Sequence, residues 1–238
     1  MKLNLSIIGV LSIAAAGLLL TRSFAEGSPK PDVRRGAGIV ANGTSYGVVA
    51  CATCHALDSA ADGSGAYPKL ADIPAYYLAK QLRDFASGVR TDDIMSEIAR
   101  QMKPEDIADV SEYYSGVRGT PTPPPAAEPD LLALGTRLAT VGDEKEMIQA
   151  CESCHGLEGR GEAPAIPPLA GQYASYIALQ MKMWQEGSRK NDANQQMTNI
   201  AKRLSARDIQ AIGLYFERLP QPALAKKSSR ESCRAQFL

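Results

Sequence analysis

The chain has 238 residues, and its 26 Lys and Arg are balanced by 26 Asp and Glu. Balanced charge without a basic stripe argues against a nucleic-acid partner. The residues that indicate a function are instead the five cysteines and two histidines.

Residues 1–25 have the layout of a secretory signal peptide. Lys2 gives a basic start, an apolar run extends from Leu5 to Leu20, and Ala25 ends a small-residue cleavage site. The alternative is an uncleaved membrane anchor, because the run approaches the ~18 apolar residues that can span a bilayer. We therefore expect export, with membrane association if the segment is retained.

The rest of the chain is organised around two copies of one motif, Cys51-Ala-Thr-Cys-His55 and Cys151-Glu-Ser-Cys-His155. In a C-x-x-C-H run, the two thiols are spaced to bond the vinyl groups of a haem while the adjacent imidazole reaches the iron. The motifs therefore predict two covalently bound haem c groups. Their attachment residues are Cys51, Cys54, Cys151 and Cys154, and their first iron ligands are His55 and His155.

A Cys-x-x-Cys pair also occurs in thioredoxin-like proteins and in zinc sites. A zinc site usually has four ligands, whereas each cluster here offers three crowded residues and the chain has no further histidine. Two copies of the complete motif behind an export signal favour haem over both alternatives.

An internal repeat indicates a tandem duplication. The two motifs are 100 residues apart, and Gly88-Val-Arg90 matches Gly187-Ser-Arg189 at an offset of 99. Other matched positions are Gly36 and Gly135, Gly43 and Gly142, Leu78 and Ile177, Leu82 and Met181, Phe85 and Trp184, and Met95 and Met197. We predict one cytochrome-sized domain over residues 26–118 and a second over residues 131–222.

Two segments lie outside the repeated domains. Residues 119–130 are rich in proline, which favours an extended, semi-rigid linker. Residues 223–238 form a polar tail that contains the fifth cysteine, Cys233. A solvated thiol and an intermolecular disulfide are both open readings of that residue.

The predicted elements inside each copy are helices. Leu78, Leu82 and Phe85 fall at i, i+4 and i+7, which gives one buried stripe. Gly88 stands where a C-cap glycine belongs, and Pro104 suits the first turn of a helix. No stretch alternates convincingly as a strand. The predicted fold class is therefore all-α, with each copy arranged around one haem.

Haem iron bound by one histidine needs a second axial ligand or keeps an open position. Both histidines belong to the motifs, so two histidines on one iron would require another chain. Met95 and Met197 are matched in the repeat, 40 and 42 residues after their histidines. That separation allows the chain to present a thioether from the opposite haem face, although both methionines could instead fill the core. We predict His/Met ligation, which saturates the iron.

Two further repeat-matched pairs are candidates for cofactor contacts. Pro68 and Pro167 follow their histidines by 13 and 12 residues, where a carbonyl could hold the imidazole Nδ1 proton; ordinary loop prolines are the alternative. Arg90 and Arg189 could pair with haem propionates, or could be solvated loop residues.

These features together resemble the dihaem cytochrome c4 family, over nearly the whole chain from Gly36 to about Leu219. The resemblance implies an all-α fold of two tandem class I cytochrome c domains, each wrapped around one covalent haem c. The more specific segments are Tyr67-Pro-Lys-Leu70, Ile166-Pro-Pro-Leu-Ala-Gly-Gln172 and Glu186-Gly-Ser-Arg-Lys-Asn-Asp192. The resemblance implies that Met95 and Met197 are axial ligands, that Pro68 and Pro167 hold the histidines, and that the haems lie near each other. The first copy departs at Ala71-Asp-Ile73, where the family more often has Ala-Gly-Gln.

The resemblance further implies periplasmic electron transfer, often from a quinol-oxidising complex towards a haem-copper oxidase. A second hypothesis is an electron-transfer subunit of a dehydrogenase or oxidase complex. A third hypothesis is an enzyme, such as a peroxidase or thiosulfate dehydrogenase. The absence of a third histidine argues against the peroxidase pattern, and the matched methionines argue against an open iron. The sequence thus predicts a dihaem electron carrier with redox-protein partners and no catalytic residues.

Overall fold

Helices make up most of the regular structure, as the sequence predicts. The computed structural model describes residues 30–58, 65–120, 123 and 126–221. Within these ranges, helices α1 to α10 are Val33–Asn42, Ala52–His55, Ala75–Ser87, Met95–Gln101, Pro104–Gly116, Pro129–Thr140, Glu152–His155, Ala174–Glu186, Gln196–Ala201 and Ala206–Glu217. The predicted signal peptide, part of the linker and the tail with Cys233 lie outside the described residues.

A short antiparallel hairpin in the second domain interrupts the helical pattern. Strand β1, Gly142–Asp143, pairs with strand β2, Ile148–Gln149. The sequence does not predict this hairpin, because two residues are too few to show an alternating pattern.

Cap residues mark the helix boundaries, as predicted for Gly88 and Pro104. Helix α3 ends at Gly88, which adopts the left-handed conformation, and α8 ends in the same way at Gly187. Pro104 is the first residue of α5, and Ser205 caps α10 by accepting the Asp208 N–H while the Asp208 carboxylate accepts the Ser205 N–H. Local sequence therefore sets where these helices begin and end.

In both domains the first helix crosses the last one very closely. A Cβ atom at Gly36 would lie 2.3 Å from the Asp109 carbonyl oxygen, and one at Gly135 would lie 2.2 Å from that of Ala211. Each glycine thus allows two helix backbones to meet. This contact explains why the two glycines match in the repeat.

Each domain has its own apolar core, and both cores belong to one compact unit, Pro31–Leu238. The first core includes Ile39, Val40, Leu78, Ile107 and Tyr114, and the second includes Leu138, Ile177, Trp184, Ile212 and Phe216. The division into residues 26–118 and 131–222 stays a prediction; we use it to name the first and second domains.

Candidate haem site

Each Cys-x-x-Cys-His motif forms a single helical turn. The His55 N–H donates to the Cys51 carbonyl, and the His155 N–H donates to the Cys151 carbonyl, both over 2.9 Å. Residues three apart on a helical turn share a face, so the two thiols of each motif lie on one side. The turns end at Ala56 and Gly156, both with positive φ, which redirects the chain after the histidine.

The two motif histidines are buried and oriented by proline carbonyls. His55 Nδ1 lies 3.0 Å from the Pro68 oxygen, and His155 Nδ1 lies 2.8 Å from the Pro167 oxygen. A carbonyl can only accept, so each Nδ1 carries the proton and each Nε2 keeps its lone pair for a metal. Burial lowers the pKa of both imidazoles, which favours this neutral form.

The motif thiols do not have the character of a redox pair. Burial raises the pKa of the Cys51 thiol to about 11 and that of Cys151 to about 12. Thioredoxin-like pairs depend on a lowered thiol pKa, so this environment argues against that alternative. No cluster of three or more His, Cys, Asp or Glu side chains suited to a metal ion occurs among the described residues.

One continuous cavity joins the two domains. His55 and His155 both line it, as do Met95 and Met197. Three other methionines also line the cavity, namely Met102, Met181 and Met183. Of these, Met102 and Met181 belong to the two apolar cores. The structure thus places the repeat-matched methionines in the cavity that both histidines line. Lining the cavity does not by itself distinguish them from the other three methionines.

Equivalent helices carry the two matched methionines. Met95 is the first residue of α4, where its N–H donates to Asp92 Oδ1 over 2.8 Å, and Met197 lies in the first turn of α9. Asp192 accepts the N–H of Thr198 over 3.1 Å in the second domain. An aspartate therefore fixes the start of each methionine helix.

Arg90 and Arg189 lie buried between the domains. Arg90 donates to Gln81 of its own domain and to Tyr176 and Gln180 of the other. Arg189 makes the same contacts in reverse, with Gln180 in its own domain and with Tyr77 and Gln81 in the other. The two sets are related by the sequence offset of 99. The duplicated chain thus builds a pseudo-twofold interface.

Comparison with known proteins agrees with this architecture. A family model described as Cytochrome c matches residues 33–117 and 144–220. A Pseudomonas aeruginosa protein named cytochrome c4 is 36% identical over 185 residues, which are 77% of this chain and 90% of that protein. The chain belongs to the dihaem cytochrome c4 family.

A second relative carries a more specific name. The "Thiosulfate dehydrogenase electron acceptor" of Stutzerimonas stutzeri is 38% identical over 182 residues, which are 75% of this chain and 83% of that protein.

Solved structures show the same two resemblances. Reduced cytochrome c4 from Pseudomonas stutzeri superposes with a TM-score of 0.70 at 30% identity, over 79% of this chain and 99% of that one. Thiosulfate dehydrogenase from Marichromatium purpuratum superposes with a TM-score of 0.74 at 35% identity. That match covers 82% of this chain but 42% of the other, so the present chain spans less than half of that protein.

As a cytochrome c4 relative, the protein is a dihaem electron-transfer cytochrome that binds two haem c groups covalently, and its partners are redox proteins. In the part of the chain that the structure describes, no helix is long and apolar enough to cross a membrane.

The buried interface fits a cofactor that carries carboxylates. The acceptors that Arg90 and Arg189 contact within the described residues are all neutral amide or phenol oxygens. Two buried guanidinium cations without an anion would be costly. Arg90 Nε and Trp184 Nε1 have no hydrogen-bond partner in the part of the chain that the structure describes, and both residues line the cavity. Haem propionates are anionic acceptors that would satisfy these groups.

The neutral polar residues that the two arginines contact in this interface were not predicted from the sequence. Gln81 and Gln180 are identical residues at matched positions, as are Tyr77 and Tyr176. The sequence does carry a signal for this interface, because identical polar residues at matched positions lie beside the buried apolar stripe of each helix. Asn191 has no matched partner; it reaches the Gln81 side chain over 3.0 Å, and only the structure reveals it.

Proposed function

We propose that this protein carries electrons between redox proteins in the periplasm and is not itself an enzyme. In this proposal it accepts electrons from a dehydrogenase and passes them towards a terminal oxidase. The relative named as an electron acceptor of thiosulfate dehydrogenase favours that kind of donor. The cytochrome c4 relatives favour a carrier that serves respiratory partners more generally.

The ligand arrangement is the observation that supports this role. Each histidine is held by a proline carbonyl and shares the cavity with a repeat-matched methionine. We assign His55 and Met95 to one iron, and His155 and Met197 to the other. Haem c held by these residues would supply reversible one-electron chemistry at a raised potential and would not bind oxygen or peroxide.

The remaining contacts follow from the same assignment. Cys51 and Cys54 attach one haem, and Cys151 and Cys154 attach the other. Pro68 and Pro167 keep the imidazoles in the tautomer that ligates through Nε2. Arg90 and Arg189 then serve the propionates, whose negative charge compensates the two buried guanidinium groups.

A near-infrared spectrum of the oxidised protein tests the ligand assignment. The wild type should show two sulfur-to-iron charge-transfer contributions, and Met95→Ala and Met197→Ala should each remove one. Met183→Ala is the matched control, because Met183 lines the cavity but has Asp84 at the equivalent position of the first domain. Carbon monoxide binding by the reduced wild type, or loss of a contribution in the control, would contradict the assignment.

Reduction by a purified thiosulfate dehydrogenase tests the donor. With thiosulfate and catalytic dehydrogenase, both haems of this protein should become reduced, while thiosulfate alone should leave them oxidised. Reduction by thiosulfate without the dehydrogenase would indicate that the chain is itself an enzyme. Stoichiometric co-purification with a dehydrogenase or an oxidase would instead establish a permanent subunit.

A further inference from the structure

The two domains differ at the surface where the first domain's part of the cavity reaches solvent. Val49 and Ile94 line the cavity there, and each is 53% exposed. Val49 precedes the first haem-attachment motif by two residues, and Ile94 immediately precedes Met95. We call this pair the first-domain rim. Exposed apolar side chains at the solvent edge of a cofactor cavity are candidates for contact with a partner protein.

The second domain has polar residues at the equivalent positions. Val49 corresponds to Gln149 at the motif offset of 100, and Ile94 corresponds to Gln196 at the offset that relates the matched methionines. Both glutamines are exposed, and neither lines the cavity. The loop before Met197 is also longer and includes the 3-10 turn Ala193–Gln195. The apolar rim therefore belongs to the first domain.

Other exposed apolar residues do not form an equivalent rim. Val141, Met147 and Leu157 of the second domain are 75%, 69% and 75% exposed, yet none of them lines the cavity. A partner seated on those residues would not be brought to the cleft by that contact. Leu179 of the second domain is 50% exposed and lines the cavity, but it lies on helix α8, away in sequence from the attachment motif and from Met197. The first-domain rim is therefore marked by apolar exposure and contact with the cavity at the positions that flank the attachment motif and the matched methionine.

Charge around the two clefts also differs. Asp92 and Asp93 are exposed beside Ile94, and Glu97 on the next turn pairs with Arg100. In the second domain, Asn199 replaces Glu97, and Lys202 replaces Arg100 without an acidic partner on its own helix. Beside the matched methionine, the excess charge is thus negative in the first domain only. The whole domains differ likewise: residues 26–118 carry 10 basic and 13 acidic residues, whereas residues 131–222 carry 10 of each.

From this asymmetry we infer that the first-domain rim is the docking surface for a redox protein that presents an apolar patch ringed by Lys or Arg. Apolar contact at the rim supplies affinity, and the acidic residues beside it steer and orient the basic partner. Electron-transfer encounters bury little surface, so two central apolar side chains form a large share of such a contact. The inference rests on the proposed carrier function and adds the port and the chemistry of the partner.

Stopped-flow oxidation of the reduced holoprotein tests the inference. The probe is ferric mitochondrial cytochrome c, a strongly basic redox protein, which gains one electron as the present protein loses one. The second-order rate constant should fall as salt is added. Val49→Gln with Ile94→Gln, which copies the second domain, should lower it about tenfold, equivalent to about 1.4 kcal/mol. Asp93→Asn should lower it and flatten its dependence on salt.

Matched controls separate the port from the carrier function. Gln149→Ala with Gln196→Ala changes the equivalent positions of the second domain and should leave the rate constant within about twofold, because those side chains lie away from the rim. Oxidation by ferricyanide, which needs no protein docking, should remain rapid in all variants. An acidic plastocyanin in place of the basic probe should react slowly, and faster as salt is added.

Three results would overturn the inference. The rim variant could react with the basic probe as fast as the wild type, or the second-domain variant could lose as much. Sedimentation could also show a wild-type dimer that Ile94→Gln converts to a monomer, in which case a second copy of this chain occupies the rim. If the wild type reduced neither ferricyanide nor the protein probe, the carrier function itself would be wrong.

Discussion

Arg90 and Arg189 lie opposite each other across the domain interface, where their backbones form an isolated antiparallel bridge. Each guanidinium stacks on an aromatic ring of its own domain, 4.5 Å from the Phe85 centroid for Arg90 and 4.1 Å from the Trp184 centroid for Arg189. Each then reaches into the other domain. The duplicated sequence therefore encodes its own interface, because the arginine of each copy donates to the matched glutamine and tyrosine of the other copy.

Gln180 is central to this interface, because its Oε1 accepts from Arg90 over 2.8 Å and from Arg189 over 2.7 Å. Gln180→Leu keeps the volume but removes the acceptor from two buried cations. We expect the free energy of unfolding to fall by about 2 kcal/mol. Urea denaturation of the holoprotein measures this. Lys182→Ala, at an exposed site on the same helix, should change stability by less than about 0.5 kcal/mol.

The sequence predicts the cofactor chemistry well because that chemistry depends on local spacing. Two thiols and an imidazole within five residues determine the attachment site, and single residues such as Gly88 determine helix ends. The interface depends instead on residues that are far apart in sequence. Periodicity shows that Gln81 lies beside a buried stripe, but not that its partner is 108 residues away in Arg189.

The internal repeat reveals some of the long-range contacts that local spacing does not. Gly36 and Gly135 match because each lies at a helix crossing, which is a packing requirement that no single-copy motif reveals. Where the copies differ, sequence alone offers no such guide. Arg35 contacts Asp106 and Asp109, yet the second domain has Leu134 and Ala211 at the positions equivalent to Arg35 and Asp109, so matching cannot indicate this ion cluster.

Substitutions in helix α1 test the close helix crossing. Gly36→Ala should destabilise the first domain by about 1–3 kcal/mol, because its Cβ would meet the Asp109 backbone oxygen. Gly38→Ala lies in the same helix with no atom within 4 Å of its Cβ. It should be neutral or stabilising by up to about 1 kcal/mol, since alanine favours helix. Thermal unfolding measures both; equal effects would contradict the crossing as the cause.

The buried Asp106 carboxylate should make the first domain sensitive to acid. Burial alone would raise its pKa, but hydrogen bonds from Tyr46, the Lys103 N–H and Arg35 hold the pKa below the ordinary value of 3.8. Its contribution to stability is therefore present above about pH 4 and is lost as the pH falls through the lower pKa of the folded state.

Asp106→Asn should accordingly cost about 2 kcal/mol at neutral pH, a moderate value because Arg35 is 41% exposed. The difference from the wild type should shrink as the pH falls below 4. Urea denaturation at several pH values measures this, with Asp208→Asn in the second domain as the matched control. A difference that stays constant in acid would exclude titration of Asp106 as the source.

A substitution at Trp184 should change the reduction potential of the second haem without changing that of the first. The Trp184 Nε1 is buried without a hydrogen-bond partner in the described residues and faces a cavity that Phe85 lines at the matched position. We expect this N–H to donate to a propionate of the second haem.

Trp184→Phe keeps the ring that stacks on Arg189 but removes the donor, so the uncompensated negative charge should stabilise ferric iron. The second haem potential should fall by some tens of millivolts, where about 59 mV is tenfold in a one-electron equilibrium. Spectroelectrochemical titration resolves both haems, and the first haem serves as the internal control. Two unchanged potentials would mean that Nε1 does not contact the cofactor, whereas equal shifts of both would point to a change at the shared interface.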